Sequence, residues 1–274
     1  LRRFAWRLKR YKKKIYHHHN FGDYLSLLIV RSLSESHVCL ADQHEKGKLL
    51  AIGSILWSLQ DHDVIWGSGA HHPNQIPHRR DVRCLAVRGP LTLQELKLSG
   101  VVTSDAKPVF FDPAIITPLL FPSLKDKLTV QGRVSIIPHY SDIEAVKSWQ
   151  RSSGTSLNII NPFIHPLKVA EQIAQSEKVI SSSLHGLILS DSLGIPSVPL
   201  RVSGNKEPTL KYEDYYQGSG RTTPRFSIDI GEALHRDPIP FSYKEEHLVR
   251  CLASFPFAMK KAVQQLIAAH PTQF

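Results

Sequence analysis

The sequence predicts an α/β protein made of two doubly wound, parallel-sheet lobes. Three observations carry that expectation. Short apolar runs bounded by glycine, proline or aspartate alternate with helix-period segments along most of the chain, as strands do with crossover helices. The alternation runs twice, on either side of a Pro- and Leu-containing connection over residues 118–127. Polar turns follow the apolar runs, where open α/β sheets place their ligands. With 42% hydrophobic and 8% aromatic residues in a chain of 274, a packed core is expected rather than disorder.

Charge is unevenly spread. The formal net charge is +10, yet residues 1–14 hold eight Arg or Lys and no acid. The remainder is close to neutral, so the basicity belongs to a terminal stretch. Phe4, Leu8, Tyr11 and Ile15 recur there at helical spacing. A basic helix with an apolar side suits an anionic membrane surface; a solvated arm docked on the body is the competing expectation. Nucleic acid ranks low as a partner, because no basic-aromatic pattern continues into the body. No apolar run approaches the ~18 residues of a membrane span, and no secretory signal pattern follows Leu1. Cys39, Cys84 and Cys251 form a sparse, odd set, which points away from a disulfide framework and toward a reducing compartment.

In chain order, a first lobe is expected over residues 15–122. His17, His18 and His19 are adjacent, and adjacent strand positions face opposite ways, so a shared metal site ranks below a solvent or substrate role. Asn20-Phe-Gly-Asp23 reads as a turn before a helix over 24–33, with Asp23 as its cap. Strands follow at 48–53, at 63–70 and at 83–88. Gly67, Ser68 and Gly69 form a turn whose amides can face a ligand. Arg88 closes the third strand, where an arginine meets either an anion or a surface carboxylate. Asp112 closes a fourth strand and reads as a cap or loop anchor.

A second lobe is expected over 128–230. Strands at 133–138, 157–161, 178–181 and 197–201 alternate with helices at 141–152, 166–176 and 184–193. The last of these opens with Ser182-Ser-Leu-His-Gly186 and stops at Gly194 and Pro196. A helix start carries unpaired N–H groups and partial positive charge, suited to an anion; an ordinary capped helix with a half-buried His185 fits as well. Lys211–Tyr216 reads as a ligand-contacting segment or a surface helix. Residues 231–274 are expected to form covering helices.

Taken in order, Asn20-Phe-Gly-Asp23, Gly67-Ser-Gly69, Arg88-Gly-Pro-Leu-Thr92, Asp112-Pro113, Pro138-His139 and Ser182-Ser-Leu-His-Gly186 with Gly194-Ile-Pro196 resemble the polysaccharide pyruvyltransferase family, in its bacterial exopolysaccharide branch. The signal lies in the ordered series, which runs from about residue 14 to residue 216. The resemblance implies two Rossmann-like lobes in a GT-B-like arrangement, with the active site in the cleft between them. It implies transfer of pyruvate from phosphoenolpyruvate onto two hydroxyls of a sugar, forming a cyclic ketal. Some members carry Arg two residues before the histidine; this chain has Ser183, so another cation must compensate.

Phosphoenolpyruvate carries a phosphate and a carboxylate. On the donor side, the Ser182 and Ser183 hydroxyls and the Leu184, His185 and Gly186 amides can supply N–H and O–H donors. His185, Arg88, His139, Arg201 and Lys211 are the candidate cations. The reaction needs an acid for the methylene carbon and a base for the attacking hydroxyl. His185 is the candidate for donor binding and acid catalysis. Asp23 is the candidate for orienting or deprotonating the sugar, with Asn20, Gly67, Ser68 and Gly69 on the acceptor side. No metal and no cofactor are expected beyond the donor substrate. The expected acceptor is a lipid-linked oligosaccharide, met at the cytoplasmic face of the membrane through residues 1–14. A nucleotide-sugar glycosyltransferase on the same fold is the alternative, since fold does not fix function; a non-catalytic carbohydrate- or membrane-associated subunit is the third class.

Overall fold

The computed structural model describes residues 20–202, 204–205, 207–238 and 240–269. The basic stretch 1–14 and His17 to His19 lie outside the described residues. All eight expected strands form, in two parallel sheets. The first contains β1 (Leu49–Leu50), β2 (Val64–Trp66), β3 (Arg83–Val87) and β4 (Val109–Phe110), in that spatial order. The second contains β5 (Val134–Ile137), β6 (Asn158–Ile159), β7 (Lys178–Ser181) and β8 (Ser197–Pro199), in the order β6-β5-β7-β8. In the first sheet the chain steps always the same way. In the second it moves out from β5 to β6, then returns to β5's other edge as β7. The region beyond the C-terminal ends of β5 and β7 is therefore a topological switch point, where doubly wound sheets bind ligands.

Ten helices are described: α1 (Phe21–Leu33), α2 (Pro90–Leu98), α3 (Thr117–Leu120), α4 (Ile143–Ser153), α5 (Pro166–Ala174), α6 (Leu184–Leu193), α7 (Leu210–Gly218), α8 (Ile230–His235), α9 (Glu245–Ala253) and α10 (Lys261–Ala268). Helix α1 begins three residues earlier than expected, because Asn20 rather than Asp23 caps it. The Asn20 side chain accepts from the amides of Gly22 (2.9 Å) and Asp23 (3.3 Å). Phe21, Leu25 and Ile29 recur every fourth residue and are buried, which drives that face into the core.

That core is shared. Trp66, Ala86 and Phe111 of the first half and Ile137, Val179 and Ile188 of the second belong to one continuous apolar cluster. The segment expected as a linker takes part: it holds α3 and a 3₁₀ turn, and Leu124 is buried in the same cluster. Helix α7 is also a correction. It is not a surface helix, since Tyr212, Tyr215 and Tyr216 are buried, and it docks on α2 across the two halves. Gly89 and Gly218 permit this approach, because a Cβ at either would overlap main-chain atoms of the other element. Helix α9 and its C-terminal turn cover the first sheet, where Trp66 Nε1 donates to Ser254 Oγ (2.9 Å). All three cysteines are free.

Candidate functional site

The site is assembled at the β5/β7 switch point. The chain leaves β5 into Pro138 and His139, and leaves β7 into Ser182. Ser182 ties the two exits together: its fully buried hydroxyl accepts from the His139 amide (2.9 Å) and donates to Asp142 Oδ2 (2.7 Å). Asn205 Nδ2 donates to the same oxygen (2.7 Å), and the Tyr212 hydroxyl donates to the Ser182 carbonyl (2.7 Å). Ser182 was expected to hold the donor; its hydroxyl is instead an internal strut. Ser183 does stand at the N-cap of α6, and its side chain makes no cap bond, so that hydroxyl stays available. The amides of Leu184, His185 and Gly186 occupy the first turn, where an α-helix offers no internal acceptor.

His185 projects from that turn toward the first half. Its Nε2 lies 3.7 Å from Asp112 Oδ2, too far for a hydrogen bond. Both atoms are buried, and neither has a hydrogen-bond partner among the described residues. A buried, unpaired polar group costs ~1–3 kcal/mol, and a charged one more, so two complementary groups left unpaired 3.7 Å apart call for a functional account. The other edge of the ring rests on the Asn20–Asp23 turn: a Cβ at Gly22 would overlap His185 Nδ1. The side chain keeps 15% exposure. His185 is therefore wedged between elements of the first half and is not sealed in apolar packing. Asp112 does act as the expected cap, since its Oδ1 accepts from Ala114 N (3.0 Å); its second oxygen is what the sequence did not reveal.

A cluster of ionisable groups lies around Glu207. Its carboxylate pairs with Lys211 Nζ, with His71 Nε2 at 3.5 Å and His139 Nε2 at 4.0 Å. Burial pushes Lys211 below its ordinary value, against the pull of Glu207. Burial, then the Lys211 charge, also lowers His139, while Glu207, Asp142 and Asp23 act the other way. Burial alone would raise Glu207, but the Lys211 hydrogen bond and charge outweigh it and the carboxyl ends below its usual range. Gly22 packs against the His185 ring, which puts the α1 turn at the switch point, and Asp23 is among the charges that act on His139. The first half thus contributes Asp23, His71 and Asp112, and the second contributes His139, His185, Glu207 and Lys211.

Other expected residues are placed differently. Arg88 is 1% exposed, and its guanidinium is committed: Nε to Asp214 Oδ2 (3.0 Å), Nη1 to Ser54 Oγ (2.7 Å), Nη2 to the Ala70 carbonyl (2.6 Å). It holds α7 to the first sheet rather than offering its charge to a donor. The turn amides of Gly67 and Gly69 are also committed, to Ala86 O (2.8 Å) and Gly53 O (3.0 Å), and the Ser68 hydroxyl donates to Gly53 O (2.8 Å). These glycines make room for neighbours: at Gly67 (φ 98°) a Cβ would overlap the Pro113 ring, and at Gly69 the Arg88 guanidinium. Arg201 is half-buried and lines a hollow of about 10 Å³, enough for one water at most. His71, Asp142, Asn205 and Glu207 were not singled out by sequence as site residues, and Tyr212 entered only within the 211–216 segment. Only His71, in a histidine pair after the β2 turn, gave a local signal.

A cavity of about 370 Å³ lies elsewhere, lined by Asp191, Pro199, Tyr216, Arg221 and Arg236 among others. It shares no residue with the His185 cluster, and its Arg221 is bound to Asp191 (2.6 Å) and stacked 3.6 Å from the Phe241 ring centre. Among the described residues, no group of three or more His, Cys, Asp or Glu is arranged to hold a metal ion. No helix among them is long and apolar enough to cross a membrane.

Fold and site together define an α/β protein whose switch point gathers ionisable groups from both halves of the chain. Residues 64–204 match the profile of the polysaccharide pyruvyl transferase family, just over half of the chain, and the chain belongs to that family. It is 27% identical over 216 residues to the succinoglycan biosynthesis protein ExoV of Rhizobium meliloti (strain 1021), covering 75% of this chain and 63% of ExoV. It is 28% identical over 220 residues to the uncharacterized protein L143 of Acanthamoeba polyphaga mimivirus, covering 76% of this chain and 75% of that protein. No solved structure gives a significant match.

Proposed function

We propose that the protein moves the pyruvyl group of phosphoenolpyruvate onto two hydroxyls of a sugar in an exopolysaccharide precursor. The products are a cyclic ketal and inorganic phosphate. The observation that carries this reading is His185 in the first turn of α6, at the switch point, facing the α1 turn and Asp112 of the other half. The first-turn amides and the Ser183 hydroxyl take one anionic group of the donor, and Lys211 and His139 attract the other. His185 gives a proton to the methylene carbon, which becomes the ketal's methyl group. One sugar hydroxyl adds to the central carbon, and the second displaces phosphate. Asp23, exposed at the start of α1, takes the proton of the attacking hydroxyl. The two halves work in this reading as GT-B-like lobes about one site. The acceptor is lipid-linked, and basic residues 1–14 bring the protein to the cytoplasmic face of an anionic membrane.

The test is incubation with phosphoenolpyruvate and candidate oligosaccharide acceptors, following phosphate release. Release that depends on acceptor, and is lost in His185→Ala, supports the reading; near-normal turnover of His185→Ala at saturating donor removes the role of His185. A thermal shift with phosphoenolpyruvate, and none with UDP- or GDP-sugars, separates this activity from glycosyl transfer; the reverse pattern overturns it. Removal of residues 1–14 should weaken binding to anionic liposomes, and an unchanged partition would count against membrane attachment.

A further inference from the structure

We propose that Asp112 is the positioning residue for His185: its free carboxylate oxygen accepts a hydrogen bond from Nε2–H and turns Nδ1 toward the substrate. The inference rests on the proposed role of His185 and deepens it. Asp112 Oδ2 and His185 Nε2 are two buried polar atoms without partners, 3.7 Å apart. Each is the complement the other lacks, one an acceptor and the other, in the proposed tautomer, an N–H. A closure of under ~1 Å brings them to hydrogen-bond distance.

The carboxylate is aimed. Its Oδ1 is fixed by the Ala114 amide, and its backbone continues β4, with the Phe111 amide on the Val87 carbonyl (2.9 Å). Only Oδ2 is left to face the imidazole. On the opposite edge, Gly22 has no side chain to block Nδ1. A ring held by its Nε2–H therefore presents Nδ1 to the α1 turn, beside Asp23. In the neutral ring that nitrogen accepts; in the charged ring it carries the second proton. A carboxylate behind a working histidine fixes tautomer and orientation in this way.

The experiment is nitrogen-15 NMR of the histidine-labelled protein at about pH 9, above the ordinary imidazole range. Of the 15 histidines, His185 is identified by the signal lost in His185→Gln. Expected is a proton on Nε2 and a bare Nδ1. Asp112→Asn keeps the Ala114 contact through its carbonyl and turns an NH2 toward Nε2, so the proton should move to Nδ1. Turnover with phosphoenolpyruvate should then fall about 10–100-fold with circular dichroism unchanged. A wild-type ring protonated on Nδ1 overturns the proposal, as does Asp112→Asn with unchanged turnover, whatever its tautomer. Absence of phosphate release by the wild type would instead remove the reaction, while the spectrum still judges the pair.

Discussion

Removing the Asp214 carboxylate should unfold the protein at markedly lower temperature, and should reach donor recognition only through the position of α7. Asp214 is fully buried and accepts from Arg88 Nε (3.0 Å), Thr92 N (2.9 Å) and Thr92 Oγ1 (2.5 Å). In Asp214→Ala all three bonds vanish, and a guanidinium with 1% exposure loses its counter-charge. Breaking a buried pair from one side costs about 3–5 kcal/mol. At about 2–4 °C per kcal/mol for a chain of this size, the midpoint should fall by roughly 6–20 °C. Arg88→Met combined with Asp214→Leu leaves no unpaired charge and should recover much of the loss; Thr92 N, still without an acceptor, keeps the recovery partial. Thermal melts by circular dichroism measure the first effect, and donor KM well below the midpoint measures the second. A shift of Asp214→Ala under about 2 °C would refute the structural role. A tenfold rise of donor KM in a stable double variant would show that donor binding needs the Arg88–Asp214 pair and not only the apolar packing of α7.

Three further outcomes are expected. Gly186→Ala should destabilise by about 1–3 kcal/mol and depress turnover, because the new methyl overlaps Ser181 Oγ and meets Ile137 Cγ2 at 3.2 Å at the start of α6; an unchanged chemical-denaturation midpoint would contradict it. Asp23→Asn should lower turnover with circular dichroism unchanged; steady-state kinetics showing neither kcat nor acceptor KM altered would make Asp23 structural. The third concerns pH: burial holds His71, His139, His165 and His247 below the ordinary histidine value. The unfolded chain then binds protons near pH 6.5 that the folded one refuses, so stability is full above ~6.5 and falls as pH drops through the lowered values. Melting midpoints should decline from pH 7 to 5.5, and a rise would refute that sign.

Much of the fold was legible because its signals are local. Apolar runs such as Val134–Ile137 and Lys178–Ser181 show strands without knowledge of their neighbours, and Gly194 ends α6 where its φ of 70° requires. The order β6-β5-β7-β8 was not legible, since periodicity does not say which edge a strand joins. The errors share that cause. A glycine at a strand end permits close approach, but nothing near Gly67 in sequence says that the approaching group is Pro113. Sequence left Arg88 open between an anion and a surface carboxylate, because its buried partner lies 126 residues further along. Asp112 looked like a cap because its cap bond is two residues away, while its other oxygen faces a histidine 73 positions on.

The commitment of Arg88 to Asp214 also explains how a residue off the site governs it. Lys211, which pairs with Glu207 beside His71 and His139, sits three residues before Asp214 on the same helix. Anchoring Asp214 to Arg88 and Thr92 fixes the axial position and rotation of α7, and with them the direction of the Lys211 side chain. The Tyr212 hydroxyl, on the next residue, reaches the Ser182 carbonyl. One helix thus binds the β3–α2 turn of the first half and the switch point of the second. A site whose charges come from both halves holds its geometry only if the halves keep their spacing. Here α7 supplies that spacing by main-chain contact at Gly89 and Gly218, and the buried ion pair sets its register.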